Sequence, residues 1–332
     1  MRRPASLLSP TFVRSKKFPG QLEELELDDD SPCTQTKVLE VMGEWELDPA
    51  EVALNDILGC GATSKVCSGT WRSHPVAVKV LSSALGAMVE KERECLCREL
   101  AILQSVDHPH VVRMFGVVPY NPVQIVMELC IGGSAFDLLH NAAHVELVWD
   151  QKLKMAMDTA EAMCYLHNFD PPILHRDLKS LNLLLNEPIC SSHDVPDVRL
   201  TDFGLARLKD AAHNEGMTAS VGTTHWMAPE VLLGCKYDET VDVYSFGMIL
   251  YEVACRAVPF DDVPRRLEVA RRVKDGLRPS LKVVPPGCPV ALKSLIKLCW
   301  HQDPARRPDF AHVARYLGIA SAESDSSPAS SY

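Results

Sequence analysis

Three oxygen-bearing side chains fall within a short span of the chain. Asp177 and Asn182 lie in His175-Arg176-Asp177-Leu178-Lys179-Ser180-Leu181-Asn182, and Asp202 opens Asp202-Phe203-Gly204. A positioned carboxylate can take a proton from an alcohol. An amide oxygen and a second carboxylate suit Mg²⁺, a hard cation that is usually held by few protein groups together with substrate phosphates. These residue types therefore suit activation of a hydroxyl beside a metal–phosphate centre.

Such residues need elements to hold them. Residues 52–58 read as a strand, followed by Gly59-Cys60-Gly61-Ala62-Thr63-Ser64-Lys65-Val66. Residues 65–71 suit a second strand, which places the glycines in a hairpin; a dinucleotide-binding loop would open a helix instead. Glycine lets backbone N–H groups approach phosphates with no Cβ in the way. Pro75-Val76-Ala77-Val78-Lys79-Val80 is a short β-branched run whose lysine, taken alone, reads as an edge residue facing solvent. Residues 88–106 read as a helix, with Leu96, Leu100 and Leu103 at spacings of four and three. Glu99 sits among them and, taken alone, is an ordinary surface glutamate. Residues 111–118 and 123–129 read as a strand pair leading into Gly132-Gly133.

Beyond Phe136 the pattern turns helical. Leu153, Ala156, Ala160 and Met163 mark an amphipathic helix that ends near His167, and Pro171-Pro172 break the chain before the reactive stretch. Leu183-Leu184-Leu185 and residues 198–200 read as a hairpin whose connection, residues 186–197, is a surface insertion. Between Gly204 and Met227 the chain is polar and holds Thr218, Ser220, Thr223 and Thr224. Residues 242–253 are almost wholly apolar apart from Asp242 and Glu252, as a buried central helix would be. Residues 1–44 carry a basic patch (Arg14, Lys16, Lys17), an acidic one and several Pro and Ser, and read as a flexible tail. The folded domain is expected over residues 45–319, with residues 320–332 a disordered Ser-rich tail.

The reactive stretch, Asp202-Phe203-Gly204 and Ala228-Pro229-Glu230 together resemble the landmarks of the eukaryotic protein kinases, in order and over roughly residues 50–318. The wording Gly222-Thr223-Thr224-His225-Trp226-Met227-Ala228-Pro229-Glu230 is most similar to the tyrosine-kinase-like group of Ser/Thr protein kinases. The resemblance implies an α+β, bilobal protein-kinase-like fold. A small β-rich N-lobe with one main helix would extend to about residue 129, and a larger, mostly helical C-lobe would start at about residue 130. It also implies transfer of the γ-phosphoryl group of ATP to Ser/Thr hydroxyls of proteins, with ATP and Mg²⁺ as cofactors. Lys179, two residues after Asp177, goes with Ser/Thr specificity in the family.

Residue by residue, the resemblance makes Asp177 the base and places Lys179 at the transferred phosphate. Lys79, held by Glu99, would grip the α and β phosphates. Asn182 and Asp202 would hold the metal. The nucleotide would lie against Leu58, Gly59, Cys60, Gly61, Ala62, Thr63, Ser64, Lys65, Val66, Ala77, Lys79, Met127 and Leu184. The backbone of Glu128 and Cys130 would bond the adenine edge. Ser64 stands where the family has its third glycine, and Ser134 where it often has a ribose-contacting acid. Two hydrophobic columns are implied: Leu103, Met114, His175 and Phe203 seated on Asp242, and Val66, Ala77 and Leu184 completed by adenine. Arg307 would pair with Glu230. Arg176 would receive a phosphate placed on Thr218 or Ser220 by an upstream activating kinase.

Composition excludes other classes. A chain of 332 residues, 46% of them hydrophobic, suits one bilobed domain or two small ones. The net charge is −10 with no block of Lys and Arg, so no nucleic-acid surface is expected. No apolar run reaches the about eighteen residues of a membrane span. Met1-Arg2-Arg3-Pro4 lacks the apolar stretch of a secretory signal, and Glu23, Glu24 and Glu26 argue against a transit peptide. Twelve cysteines without C-x-x-C pairs read as reduced thiols of a cytoplasmic protein, and the lone Cys95-x-Cys97 suits helix packing. Two other readings compete: a catalytically inactive pseudokinase scaffold, and a kinase of dual or tyrosine specificity. The complete set Lys79, Glu99, Asp177, Asn182 and Asp202 speaks for an active enzyme, although a fold alone assigns no function.

Overall fold

The computed structural model describes residues 16–17, 35–61, 63–120, 122–208, 224–263 and 265–326. Ala62, Thr218, Ser220 and Thr223 lie outside the described residues. A two-residue strand, β1 (Lys16–Lys17), pairs in parallel with β7 (Phe169–Asp170). Helix α1 (Gln35–Met42) precedes the smaller lobe. That lobe is a five-stranded antiparallel sheet of β2 (Val52–Cys60), β3 (Ser64–Trp71), β4 (His74–Leu81), β5 (Met114–Val118) and β6 (Gln124–Met127), with helix α2 (Glu90–Ser105) between β4 and β5. The spatial order is β2-β3-β4-β6-β5.

The alternation of β4 decides where its lysine goes. Side chains of a strand point to opposite faces in turn. Val76, Val78 and Val80 join Cys67, Val118 and Val126 in a small core on one face of the sheet. Ala77 and Lys79 therefore face the other way, toward α2 and the second lobe. Register sets their neighbours: Val66 lies opposite Lys79 on β3, and Met127 opposite Ala77 on β6. Edge strand β2 is exposed almost throughout, and its pairing with β3 shifts register twice, between Leu54 and Ile57 and between Ile57 and Gly59.

The larger lobe contains α3 (Trp149–His167), β7, β8 (Ile173–Leu174), β9 (Leu183–Leu185), β10 (Val198–Leu200), β11 (Arg207–Leu208), α4 (Pro229–Leu232), α5 (Thr240–Cys255), α6 (Arg266–Lys274), α7 (Val290–Cys299) and α8 (Phe310–Ser326). Thus the bilobal α+β arrangement is present. Strands β9 and β10 form the expected hairpin, with Leu184 opposite Arg199. Helix α5 is buried at every position from Val241 to Ala254. At Gly247 a Cβ would come within 2.9 Å of the Cys299 Cβ, so glycine is what lets α7 lie against the central helix. Arg256, in the left-handed conformation after α5, donates to the carbonyls of Leu138, Leu139 and Ala142. No helix among the described residues is long and apolar enough to cross a membrane.

Two boundaries need correction. The expected tail 1–44 is folded from residue 35. Val38 and Met42, four apart on α1, are fully buried in the main core, and α1 packs on α2. At the other end, α8 runs through Ser326 rather than stopping at residue 319. Ala320 is fully buried, Glu323 accepts the Ala291 N–H at 3.1 Å, and Ser324 donates to Asp150 at 3.3 Å. The connection 186–197 is also better fastened than a bare surface insertion: Ile189 is buried and Gln151 donates to the Ser191 and Asp194 carbonyls.

A carboxylate with no solvent exposure ties α5 to the loop after β8. Asp242 accepts the backbone N–H of His175 at 2.9 Å, that of Arg176 at 2.8 Å, and the His167 ring N–H at 3.0 Å. Burial alone would raise its pKa. The His167 hydrogen bond and charge, the His175 charge and the Arg176 N–H outweigh that and hold it below the usual carboxylate range. Replacing Asp242 by Ala orphans two buried N–H groups and is expected to cost about 3–5 kcal/mol in urea unfolding. A group whose folded pKa is depressed stabilises fully above its unfolded value and loses that contribution as pH falls through the folded one. The stability gap between wild type and Asp242→Asn should therefore be widest above about pH 4 and narrow below it.

Candidate active site

The site is built where β4, α2 and the two loops after β8 and β10 meet. Lys79 Nζ donates to Glu99 Oε1 at 2.5 Å, and Asp202 Oδ1 lies 3.8 Å from the same ammonium. Glu99 is buried, while about half of the Asp202 side chain is exposed (47%). Burial pulls the Lys79 pKa down, but the charges of Glu99 and Asp202 more than restore it, so the ammonium stays charged beyond its ordinary range. Asp202 has φ +68°, a left-handed conformation that Asp tolerates better than most residues. A Cβ at Gly204 would sit 3.3 Å from Asp202 Oδ1, so the glycine leaves room around that carboxylate. The Cys95 thiol of α2 donates to the Gly204 carbonyl at 3.0 Å.

Asp177 is buried, and its two oxygens differ. Oδ2 accepts from Lys179 Nζ at 2.6 Å and from Asn182 Nδ2 at 3.2 Å. Oδ1 has no hydrogen-bond partner among the described residues. A buried carboxylate oxygen left unbonded is costly, and a hydroxyl donor is the chemistry that would satisfy it. Asn182 also donates to the Asp177 carbonyl at 2.8 Å, which commits its N–H₂ group and leaves its amide oxygen as an available ligand. The two loops are fastened together. Thr201 N–H donates to the Asn182 carbonyl at 3.0 Å, and His175 Nε2 donates to the Thr201 carbonyl at 3.1 Å. Asn182 and Asp202 thus approach one another through the residue that precedes Asp202. His175 also packs on Phe203 at 5.2 Å between ring centroids.

The remaining sequence-named residues differ in exposure. Ala77 and Met127 are buried, while Val66, Glu128, Cys130 and Leu184 are half-buried. In the hairpin, Leu58, Gly59, Cys60, Gly61, Thr63 and Lys65 are exposed and Ser64 is half-buried, with Gly61 N–H bonded to the Ser64 carbonyl at 2.7 Å. Glu128 N–H donates to the Arg113 carbonyl at 2.8 Å, and its carboxylate pairs with Arg199 at 3.2 Å. Among the described residues no backbone bond engages the Glu128 carbonyl or the Cys130 N–H. Burial, then the Glu128 charge, pushes the Cys130 thiol up to about 12, so it remains protonated. Ser134 is turned to Asp137, donating to Oδ2 at 2.6 Å.

Glu252 is a functional support that the sequence reading passed over. It is fully buried and accepts from Ser180 at 2.7 Å, Trp226 Nε1 at 2.7 Å and His140 at 2.9 Å. It thereby ties the loop that carries Asp177 and Asn182 to the chain returning at Trp226. Its signal was visible as a lone acid near the end of an apolar helix. Arg307 pairs with both oxygens of Glu230, as the resemblance implied. His110, Asp158 and Asp197 also approach as metal ligands would, but Lys154 and Arg199 already supply positive charge to these carboxylates.

Residues 52–317 match the family described as protein tyrosine and serine/threonine kinase. Among curated proteins, the chain is 33% identical to "Probable serine/threonine-protein kinase drkC" of Dictyostelium discoideum, over 92% of this chain and 40% of that protein. It is 35% identical to "Serine/threonine-protein kinase STY17" of Arabidopsis thaliana, over 82% of this chain and 45% of that one. It is 34% identical to "Mitogen-activated protein kinase kinase kinase 7" of Homo sapiens, over 84% of this chain and 43% of that one. The chain thus spans less than half the length of these relatives. With the family match covering most of the chain and laid over a bilobal α+β fold, the protein belongs to the protein tyrosine and serine/threonine kinase family.

Proposed function

We propose that this chain transfers the γ-phosphoryl group of ATP to serine or threonine hydroxyls of proteins. The observation that carries the reading is Asp177: one oxygen is held by Lys179 and Asn182, and the other is free to accept a hydroxyl proton. Phosphoryl transfer asks a protein mainly for positioning and charge stabilisation. Lys79, held by Glu99, orients the α and β phosphates, and the hairpin at Gly59 and Gly61 covers them. The Glu128 carbonyl and Cys130 N–H hold the adenine edge between Val66, Ala77, Met127 and Leu184. Asn182 and Asp202 would hold Mg²⁺, which would supply positive charge to offset that of the phosphates. Asp177 orients the acceptor hydroxyl and takes its proton, and Lys179 stabilises charge at the transferred group.

The Ser/Thr acceptor is supported by Lys179 and by the names of the relatives, each a serine/threonine-protein kinase or a kinase kinase kinase. A role in signalling is supported by the name of the human relative, and phosphorylation of Thr218 or Ser220 by an upstream kinase belongs to the same reading. The eleven described cysteines are all free thiols, which supports a cytoplasmic setting.

Asp177→Asn is expected to lower turnover by about 10²–10⁴-fold with little change in ATP affinity. The assay is labelled ATP with Mg²⁺ and a generic basic protein substrate. Unchanged incorporation in that variant would refute the mechanism, and a wild type that binds ATP without transfer would favour the scaffold reading. Phosphoamino-acid analysis of the product should yield phosphoserine and phosphothreonine; phosphotyrosine alone would overturn the acceptor assignment.

A further inference from the structure

Helix α2 is buried on two sides, and only one of them faces the lysine. At about 100° per residue, Leu96 and Leu103 fall within about 60° of Glu99, whereas Cys97, Ala101 and Gln104 cluster on the opposite face. Cys97 and Ala101 are nonetheless only 2% and 4% exposed. Helix α1 packs on α2, and Gln104 Nε2, on that opposite face, donates to the Val41 carbonyl at 2.9 Å. Val38 and Met42 of α1 have no exposed surface and belong to the same core as Leu96, Cys97, Leu100 and Ala101.

The other end of this segment is fastened to the sheet that carries Lys79. Leu47 N–H donates to the Val117 carbonyl at 2.8 Å, and Glu46 bridges to Val117 as a short parallel addition to β5. Tyr120 donates to Glu46 at 3.0 Å. Gly116 makes the approach possible, since a Cβ there would lie 2.6 Å from both Leu47 Cγ and the Trp45 carbonyl oxygen. Residues 35–47 thus run as one link from the far edge of the sheet to the outer face of α2.

We propose that residues 35–47 are a built-in clamp that holds α2 where Glu99 meets Lys79, with Val38 and Met42 as positioning residues. The inference rests on the phosphoryl-transfer reading of the site. The Lys79–Glu99 pair and the buried Leu96 and Leu103 restrain one face of this sixteen-residue helix and leave the opposite face to be held by something else. Two fully buried apolar side chains on the opposite face supply that restraint. Releasing them shifts the population of α2 away from the paired position, and a displacement of about 1 Å at a reacting centre costs on the order of 10²-fold in rate.

The test uses the full chain, with Met42→Asp, Met42→Leu and Gln104→Leu compared with wild type. Hydrogen–deuterium exchange is read at residues 96–103 and at central helix α5, alongside kcat and KM for ATP. The clamp predicts that Met42→Asp and Gln104→Leu speed exchange in α2 and leave α5 protected. It also predicts that Met42→Asp raises KM for ATP and lowers kcat/KM by on the order of 10–10²-fold, and that Met42→Leu restores both. Should Met42→Asp unfold the whole chain, Gln104→Leu makes the same comparison by removing one hydrogen bond. Unchanged α2 exchange in Gln104→Leu together with unchanged exchange or global unfolding in Met42→Asp overturns the clamp. Faster α2 exchange in a protein that transfers no phosphate supports the clamp and refutes the proposed function, so the two failures are distinct.

Discussion

Asp242 is a charge placed where water does not reach, and the larger lobe is arranged to keep it there. An isolated carboxylate in that position would cost several kcal/mol. Two backbone N–H groups and one imidazole remove the cost by aiming at it. The two N–H groups belong to His175 and Arg176, directly before Asp177. The conformation of the reactive loop is therefore set by a residue on a different element, sixty-five positions later. Arg176 adopts φ +67° in that loop, a conformation that the surrounding bonds must over-determine for it to persist.

Glu252 repeats the device ten residues further along the same helix, about 15 Å away along its axis. It receives Ser180 from the reactive loop and Trp226 from the segment that returns from beyond β11. One rigid, fully buried helix thus carries two acids that hold the loop of Asp177 at both ends. The smaller lobe is organised differently. Its lysine is placed by strand alternation and by the partner acid on α2, and its glycine hairpin is held by main-chain bonds to one neighbour. The larger lobe thus holds its reactive loop through buried acids, whereas the smaller lobe holds Lys79 through strand register and a single partner acid.

Much of this was legible in the residues because it depends on local rules. The β-branched run around Lys79, the leucines of α2 and the apolar run of α5 each announce an element through their period. Asp177, Asn182 and Asp202 are legible through order and wording. Helix α1 was not, for a physical reason. Eight residues form no stable helix alone, and acidic, Ser- and Pro-containing sequence precedes them. Only burial of Val38 and Met42 against α2 makes the helix, and the one local trace is their spacing of four. The last turns of α8 were hidden by serines that suggest disorder, while Ala320 and Glu323 make contacts far along the chain. The Cys95–Gly204 bond joins residues 109 positions apart and leaves no local signature.

Both borders of the five-stranded sheet are modified in ways that matter beyond the site. A regular, unpaired strand edge is a template on which another chain can add its own strand. On the β2 side, the two register shifts and the polar Asn55 and Asp56 break the regularity of the outer rung. On the β5 side, Glu46 and Leu47 already occupy the Val117 position. Among the described residues, the sheet thus offers no long regular ladder for edge-to-edge aggregation, and the irregularity of its outer strand helps keep separate molecules apart.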